Sequence, residues 1–242
     1  MSDSIEKDIQ KAVRFYWRTK NAALTKNQGS SRVDQGKRGG ATAGKNLDGF
    51  GKLLIREIKK AGKKKVQVFE NKTGVVLPGH FRPSKQWDLV AMSGERLIAA
   101  VELKSLGGPS FSNNANNRCE EALGSGLDFA VAQREGLLGK GATPFIGYFI
   151  LVEDQEGSRK PPQRGNPSIH FKGDPEFKSA SYQHRMRILC ERMMQERLYS
   201  AASVMATPPT AKQTRAFTDL SSETAFSKLV AKLVGHVQVE SQ

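Results

Sequence analysis

Two short apolar runs, residues 87–92 and 97–101, are separated by only Ser93-Gly94-Glu95-Arg96. Runs too short for helices, joined by a glycine-containing turn, read as an antiparallel hairpin. Its open end carries charge: Asp88 lies in the first strand, and Glu102 and Lys104 end the second. Side chains alternate along a strand, so Glu102 and Lys104 share a face. The turn centres near residues 94–95, and reflecting Asp88 through it reaches residues 101–102. Asp88 and Glu102 are therefore expected side by side at one end of a sheet. Burying two carboxylates and a lysine on apolar strands is costly without a partner. That cost limits what such a hairpin can be for.

The surrounding pattern predicts an α/β chain. A helix is expected over 5–24, where Ile5, Ile9, Ala12, Val13, Tyr16 and Trp17 recur at helical spacing. Residues 27–46 read as a long polar loop. A helix at 47–61 follows, with Leu47, Phe50, Leu54 and Ile58 on one face, and then a strand beginning in KKKVQVFE. After the hairpin, a polar Gly/Ser/Asn segment leads into a helix over 117–136. Residues 145–152 are continuously apolar, as in a strand buried on both faces. Residues 96–152 thus form a strand–helix–strand unit with a parallel pair. A second polar loop is expected at 153–177, then two closing helices at 179–206 and 221–237. There is no internal repeat and no linker. One domain over residues 1–242 is expected, with a core at about 47–152 and helical additions at both ends.

Charge narrows the partner. Lys and Arg number 38 against 24 Asp and Glu, for a formal net charge of +14. An excess of that size favours a polyanion, because lysine and arginine displace counterions from phosphates. The apolar share of 38% is enough for a core. No stretch approaches the roughly 18 apolar residues of a membrane span. The charged N-terminus lacks the apolar segment of a secretory signal, so a cytoplasmic protein without membrane association is expected. Cys119 and Cys190 are too few for a disulfide framework or cysteine-rich zinc site, and neither has a base beside it in the sequence.

A divalent cation gives a physical reason to hold Asp88 and Glu102 together. Hard carboxylate oxygens suit Mg2+, which can neutralise charge on a phosphodiester transition state. Lys104 can orient or deprotonate the attacking water, or stabilise the pentavalent phosphate. An acid, a spacer and a lysine is a common pattern, found also at Glu57-Ile58-Lys59, Glu70-Asn71-Lys72 and Glu176-Phe177-Lys178. Only Glu102-Leu103-Lys104 ends an apolar strand that follows an Asp-bearing one. The alternative reading is a structural Glu–Lys ion pair in a non-catalytic DNA-binding protein.

Pro83, Asp88, Glu102 and Lys104 together fit the PD-(D/E)xK nuclease motif, and the expected element order matches that superfamily's αβββαβ core, a mixed sheet flanked by helices. Asp48-Gly49-Phe50, the Phe81-Arg82-Pro83-Ser84-Lys85 block reaching Trp87-Asp88-Leu89, and Pro109-Ser110-Phe111 with its asparagines through Arg118 to Glu120-Glu121-Ala122 resemble the XhoI family of type II restriction endonucleases. Glu223-Thr224-Ala225-Phe226 extends that likeness nearly end to end. The resemblance implies a homodimer that cuts both strands of a palindromic site in double-stranded DNA with Mg2+. It implies Asp88, Glu102 and the Leu103 main-chain carbonyl as metal ligands, and Lys104 as the catalytic lysine. It further implies a site like CTCGAG cut after the first C, and a companion DNA methyltransferase in the cell. One departure is that Pro83 lies five residues before Asp88 rather than next to it. Many members of the superfamily add an acid from the first core helix, for which Asp48 and Glu57 are the candidates. Asp48 fits equally a helix N-terminal charge, and Glu57 a surface pair with Lys60.

DNA contacts are expected from Asn113, Asn114, Asn116, Asn117 and Arg118, because amides read adenine and arginine reads guanine in the major groove. Helix capping is the competing explanation for these asparagines. Arg82 and Lys85 are candidates for the DNA backbone. Arg32, Lys37 and Arg38 in loop 27–46 are candidates for a basic segment that orders on DNA. A structure-specific or repair nuclease on the same core is the second enzymatic reading.

Overall fold

The computed structural model describes residues 2–28, 45–70, 72–139, 141–162 and 168–241. Nearly all of loop 27–46, with Arg32, Lys37 and Arg38, lies outside the described residues. Helix α1 (Ser2–Gln28) runs past the expected 24, and α2 (Asp48–Gly62) falls where its apolar face predicts. The short strands β1 (Gln67–Phe69), β2 (Val76–Pro78) and β3 (Ser84–Gln86) follow. The hairpin is β4 (Leu89–Ser93) and β5 (Arg96–Leu106). Helix α3 (Phe111–Arg134) crosses to β6 (Phe145–Glu153), which is buried along its whole length. The chain closes with α4 (Tyr182–Gln195), β7 (Ala201–Thr207), β8 (Thr218–Asp219) and α5 (Phe226–Glu240).

The six-stranded sheet has the order β1-β4-β5-β6-β7-β8, and β2 and β3 form a separate ribbon. The sheet is mixed. β5, β6 and β7 run parallel, β4 and β8 pair antiparallel with β5 and β7, and β1 pairs antiparallel with β4. Apolar side chains pack on both faces. One layer places Tyr16, Trp17, Phe50, Leu54, Phe226 and Leu233 of α1, α2 and α5 against Val101, Phe149 and Met205. The other places Phe129, Met186 and Met193 of α3 and α4 against Ala100, Tyr148, Ile150 and Val204. Helices therefore flank a sheet whose central strands must be apolar on both sides.

The sequence reading of 179–206 as one helix is wrong. The helix stops at Gln195, and residues 201–207 are a fully buried central strand. Arg197 turns the chain at φ 57°, a left-handed position usually marked by glycine, so no stop signal is visible in the sequence. Ala201, Ala202, Met205 and Ala206 favour helix in isolation, but burial between two helical layers overrides that preference. The last helix also begins later than 221, at Phe226. Helix α3 begins earlier than 117, at Phe111, because buried Phe111 and Ala115 fasten its first turns to the core despite the asparagines between and after them. Two short helical turns, Glu156–Arg159 and Pro175–Phe177, interrupt the expected loop 153–177.

At the C-terminal ends of the parallel strands α1 is held by a buried polar cluster. Glu153 Oε1 accepts from Tyr16 Oη at 2.7 Å and from Lys20 Nζ, and its Oε2 accepts from Gln155 Nε2 at 2.9 Å. A Cβ at Gly107 would lie 2.5 Å from Glu153 Oε1, so only glycine lets β5 end so close to this carboxylate. Trp17 Nε1 donates to Thr207 Oγ1 at 3.1 Å, fixing the same helix to β7. Removing the acceptor would strand a lysine and a tyrosine hydroxyl. Glu153→Ala is expected to lower unfolding free energy by about 3–5 kcal/mol, measured by urea denaturation, with Glu153→Gln costing clearly less. Equal, small losses for both would show that the cluster does not anchor α1.

Candidate active site

The pairing of β4 with β5 sets the site. Ser93 faces Arg96 and Met92 faces Leu97, but Ala91 faces Ala99 and Leu89 faces Val101. Ile98 is thus an extra residue in β5, a bulge that advances the register by one. Continued by one position, that register sets Asp88 opposite Glu102. The Asp88 N–H donates to Val101 O at 3.2 Å, and the Leu103 N–H donates to Asp88 Oδ2 at 2.7 Å. Main-chain N–H and C=O of one strand residue point the same way, so the Leu103 carbonyl leaves β5 on the Asp88 side.

Glu102 is buried between two lysines. Lys104 Nζ contacts Oε1, and Lys85 Nζ stands 2.8 Å from Oε2. The Lys85 approach lacks hydrogen-bond alignment, which leaves Oε2 a buried acceptor without a hydrogen-bond partner. Lys85 also lies over the Trp87 ring, 4.8 Å from its centroid. Asp88 is exposed along one side, yet the protein packed around it raises its carboxyl above the usual range. Desolvation is the main cause and the Glu102 charge the second, with Leu103 N–H, Lys104 and Lys85 opposing. For Lys104, burial pulls the ammonium down, but the charge and hydrogen bond of Glu102, then Asp88 and Glu121, outweigh it and raise it. Lys104 is therefore a held cation at neutral pH.

Two carboxylates that repel each other, beside a strand carbonyl, are a donor set that fits a hard divalent cation. Among the described residues no three His, Cys, Asp or Glu side chains gather at one point.

A cleft beside Glu102 and Lys104 holds about 440 Å³ and is lined by these two, Phe81, Arg82, Lys85 and residues of α3, while Asp88 is not part of its lining. The α3 residues Arg118, Glu121, Ser125 and Asp128 recur at intervals of three and four, so one helix face forms the wall. Arg118 pairs with Glu121, while its Nε is a buried donor without a partner. Asp128 accepts the N–H groups of His80 and Phe81, each at 2.8 Å, and Arg82 Nε at 2.8 Å. Sequence reasoning missed Glu121, Ser125 and Asp128. The signal was a polar stripe at helical spacing, Arg118, Glu121, Ser125 and Asp128, along one face of the helix.

The other sequence candidates divide. Arg82, Lys85 and Arg118 line the cleft. Asn113, Asn116 and Asn117 instead line a groove between α3 and α4, with Tyr182, Met186 and Met193. Asn116 Nδ2 donates to Glu120 at 2.8 Å, and Asn114 Nδ2 donates to Gly107 O at 3.3 Å. These asparagines lie within a helix, not in the loop before one, and no side chain caps its start. Asp48 sits in the first turn of α2, with its carboxyl raised by burial chiefly, and its surroundings are Lys52, Glu70 and Lys45. Glu57 is paired with Arg56 at 2.8 Å and Lys60 at 3.1 Å. Neither has Asp88, Glu102 or Lys104 among its partners.

A family described as restriction endonuclease XhoI matches residues 26–219. The type II restriction enzyme XhoI of Xanthomonas vasicola is 42% identical over 183 residues, covering 75% of this chain and 72% of that protein. BstVI of Geobacillus stearothermophilus, also a type II restriction enzyme, is 37% identical over 220 residues, covering 89% of this chain and 97% of its own. AbrI of Azospirillum brasilense is 41% identical over 167 residues, 69% of this chain and 74% of that enzyme. No solved structure gives a significant match.

The Asp128 clamp has a measurable pH signature. Burial alone would raise this carboxyl, but the Phe81 N–H, Arg82 and the His80 N–H hold it below its ordinary value of 3.8. A depressed folded value stabilises above the unfolded value and is lost as pH falls through the folded one. Asp128→Asn is expected to cost on the order of 2 kcal/mol at neutral pH, read from urea unfolding. The gap from the parent should narrow at about pH 3; a gap that holds or widens there would remove the clamp.

Proposed function

The chain belongs to the XhoI family of restriction endonucleases, and from that premise we propose that the cleft at the hairpin's open end is where it hydrolyses DNA. It is a type II restriction enzyme, a site-specific deoxyribonuclease. The finer reading is Mg2+-dependent cleavage of both strands of a short palindrome by a homodimer. The expected site is CTCGAG, cut after the first C, with a companion methyltransferase protecting cellular DNA in the cytoplasm. The observation that carries the reading is the β4–β5 register, which sets Asp88 opposite Glu102 with Lys104 on the same face as Glu102. The element order helix α2, strands β1, β4 and β5, helix α3, strand β6 supports a PD-(D/E)xK core within a single nuclease domain.

Asp88, Glu102 and the Leu103 carbonyl would hold the cation. When bound, Mg2+ supplies positive charge to the phosphodiester as its transition state forms. The Leu103 N–H fixes one Asp88 oxygen, so the carboxylate keeps one orientation. Lys104, kept protonated by its acidic neighbours, donates to the phosphate oxygen on which charge develops. Lys85 balances the second Glu102 oxygen, so the free site is close to neutral and is not a repulsive pair alone. Arg82 and Arg118 in the cleft lining carry the phosphate backbone on either side of the bond that breaks.

Incubating the purified protein and Mg2+ with a sequenced plasmid is expected to give discrete fragments that map to one palindrome, and chelation with EDTA should stop cutting. A smear would favour a structure-specific nuclease. Binding without cutting would favour a Glu102–Lys104 ion pair in a DNA-binding protein. Asp88→Ala and Lys104→Ala should each slow cleavage by about 100-fold or more while duplex binding persists in a gel-shift assay. Unchanged cutting by either variant would overturn the assignment of that residue.

A further inference from the structure

The turn at residues 79–83 is built more firmly than a surface turn requires. One Asp128 oxygen accepts two successive N–H groups, those of His80 and Phe81, and the other accepts Arg82 Nε. Asp128 is buried, and so is Ser125 beside it, 3.5 Å from Arg82 Nη2. A Cβ at Gly79 would meet Asp128 Oδ2 at 2.7 Å and Arg82 O at 2.6 Å, so the approach depends on glycine. What this clamp presents is an aromatic ring in solvent. Phe81 is 66% exposed, with the His80 ring edge-on at 4.8 Å.

Phe81 lines the same cleft as Glu102 and Lys104, so whatever reaches the reacting groups also meets this ring. Arg82 beside it offers a guanidinium whose Nε is already fixed, leaving its outer edge for a phosphate. Leu127, half exposed on the same wall, continues the apolar rim. An aromatic face beside an oriented arginine matches the alternation of flat base and charged phosphate along a DNA strand. A rigid ring loses little entropy on stacking, because its backbone is already held.

We propose that the Asp128-clamped turn is a DNA-gripping element, in which Phe81 inserts at a base step next to the scissile phosphate, stacking on a base that it partly unstacks from its neighbour, and Arg82 holds the adjoining phosphate. The proposal rests on the nuclease reading above. Asp128 is a positioning residue in it, acting through Phe81 and Arg82.

The test uses Phe81→Ala and Phe81→Trp in the full chain, with a duplex carrying the cleaved site and EDTA present to prevent cutting. Trp17 and Trp87 are both buried, so a tryptophan at position 81 is the exposed reporter. Phe81→Trp is expected to lose emission when duplex is added. Phe81→Ala should weaken duplex binding on the order of tenfold with unchanged melting temperature and unchanged elution in gel filtration. If the parent neither binds nor cuts the duplex, the nuclease reading itself fails and the proposal with it. If the parent cuts and Phe81→Ala binds and cuts equally well, the stacking role alone is overturned. A Phe81→Ala protein that elutes as a smaller species would assign the ring to a protein partner and also overturn it. Should Phe81→Ala aggregate, the tryptophan decides: emission unmoved by duplex rejects the proposal.

Discussion

One extra residue in one strand determines what this cleft can do. Without the bulge at Ile98, the register that begins at Ser93 and Arg96 would bring Asp88 opposite Val101. Glu102 would then stand one residue out of step, and a one-residue slip moves a side chain to the opposite face. The bulge restores coincidence, and the acid pair, the strand carbonyl and the lysine follow from it. Lys104 shares the Glu102 face because two residues is one strand repeat.

Helix α3 serves the same site from above through a different periodicity. Arg118, Glu121, Ser125 and Asp128 line the cleft, while Phe111, Ala115, Ala122, Phe129 and Ala132 pack into the core. The helix therefore fixes the cleft's width and its charge through one rigid body. The chain's surplus of fourteen positive charges is not concentrated here. In the cleft, lysine and arginine are matched against Glu102, Glu121 and Asp128. Long-range attraction of a polyanion and local handling of one phosphate are thus separate tasks, and only the first is visible in net charge.

The hairpin was legible because its signal is local: two apolar runs, a four-residue turn and alternation that puts charges on one face. Helix α2 and strand β6 were legible for the same reason. Strand β7 was not, because seven residues buried on both faces have no period to read, and alanine and methionine lean the other way. The start of α3 was misplaced because asparagine is a poor helix former, and what overrules it is Phe111 stacked 6.0 Å from Tyr182, a residue 71 positions later. The Asp128 clamp was hidden for a further reason. Its partners lie 46 to 48 residues earlier, and main-chain N–H groups leave no mark in a sequence.

The bulge itself is held from the far end of the chain. His236 Nε2 on α5 donates to the Ile98 carbonyl at 3.1 Å, since a carbonyl can only accept. Burial lowers the pKa of this imidazole, the Ile98 bond and Glu240 opposing, which favours the neutral ring with a single N–H. Arg96, at the hairpin turn, reaches Glu240 Oε2 at 2.7 Å and the Glu240 carbonyl. Helix α5 thus grips both ends of the irregular stretch, the turn where the register starts and the residue where it shifts. The acid pair lies at the opposite end of the hairpin and touches neither group. A one-residue slide of this hairpin would break the His236 and Arg96 bonds together, besides turning each side chain to the other face. The C-terminal helix is therefore part of what specifies the site, although none of its residues lines the cleft.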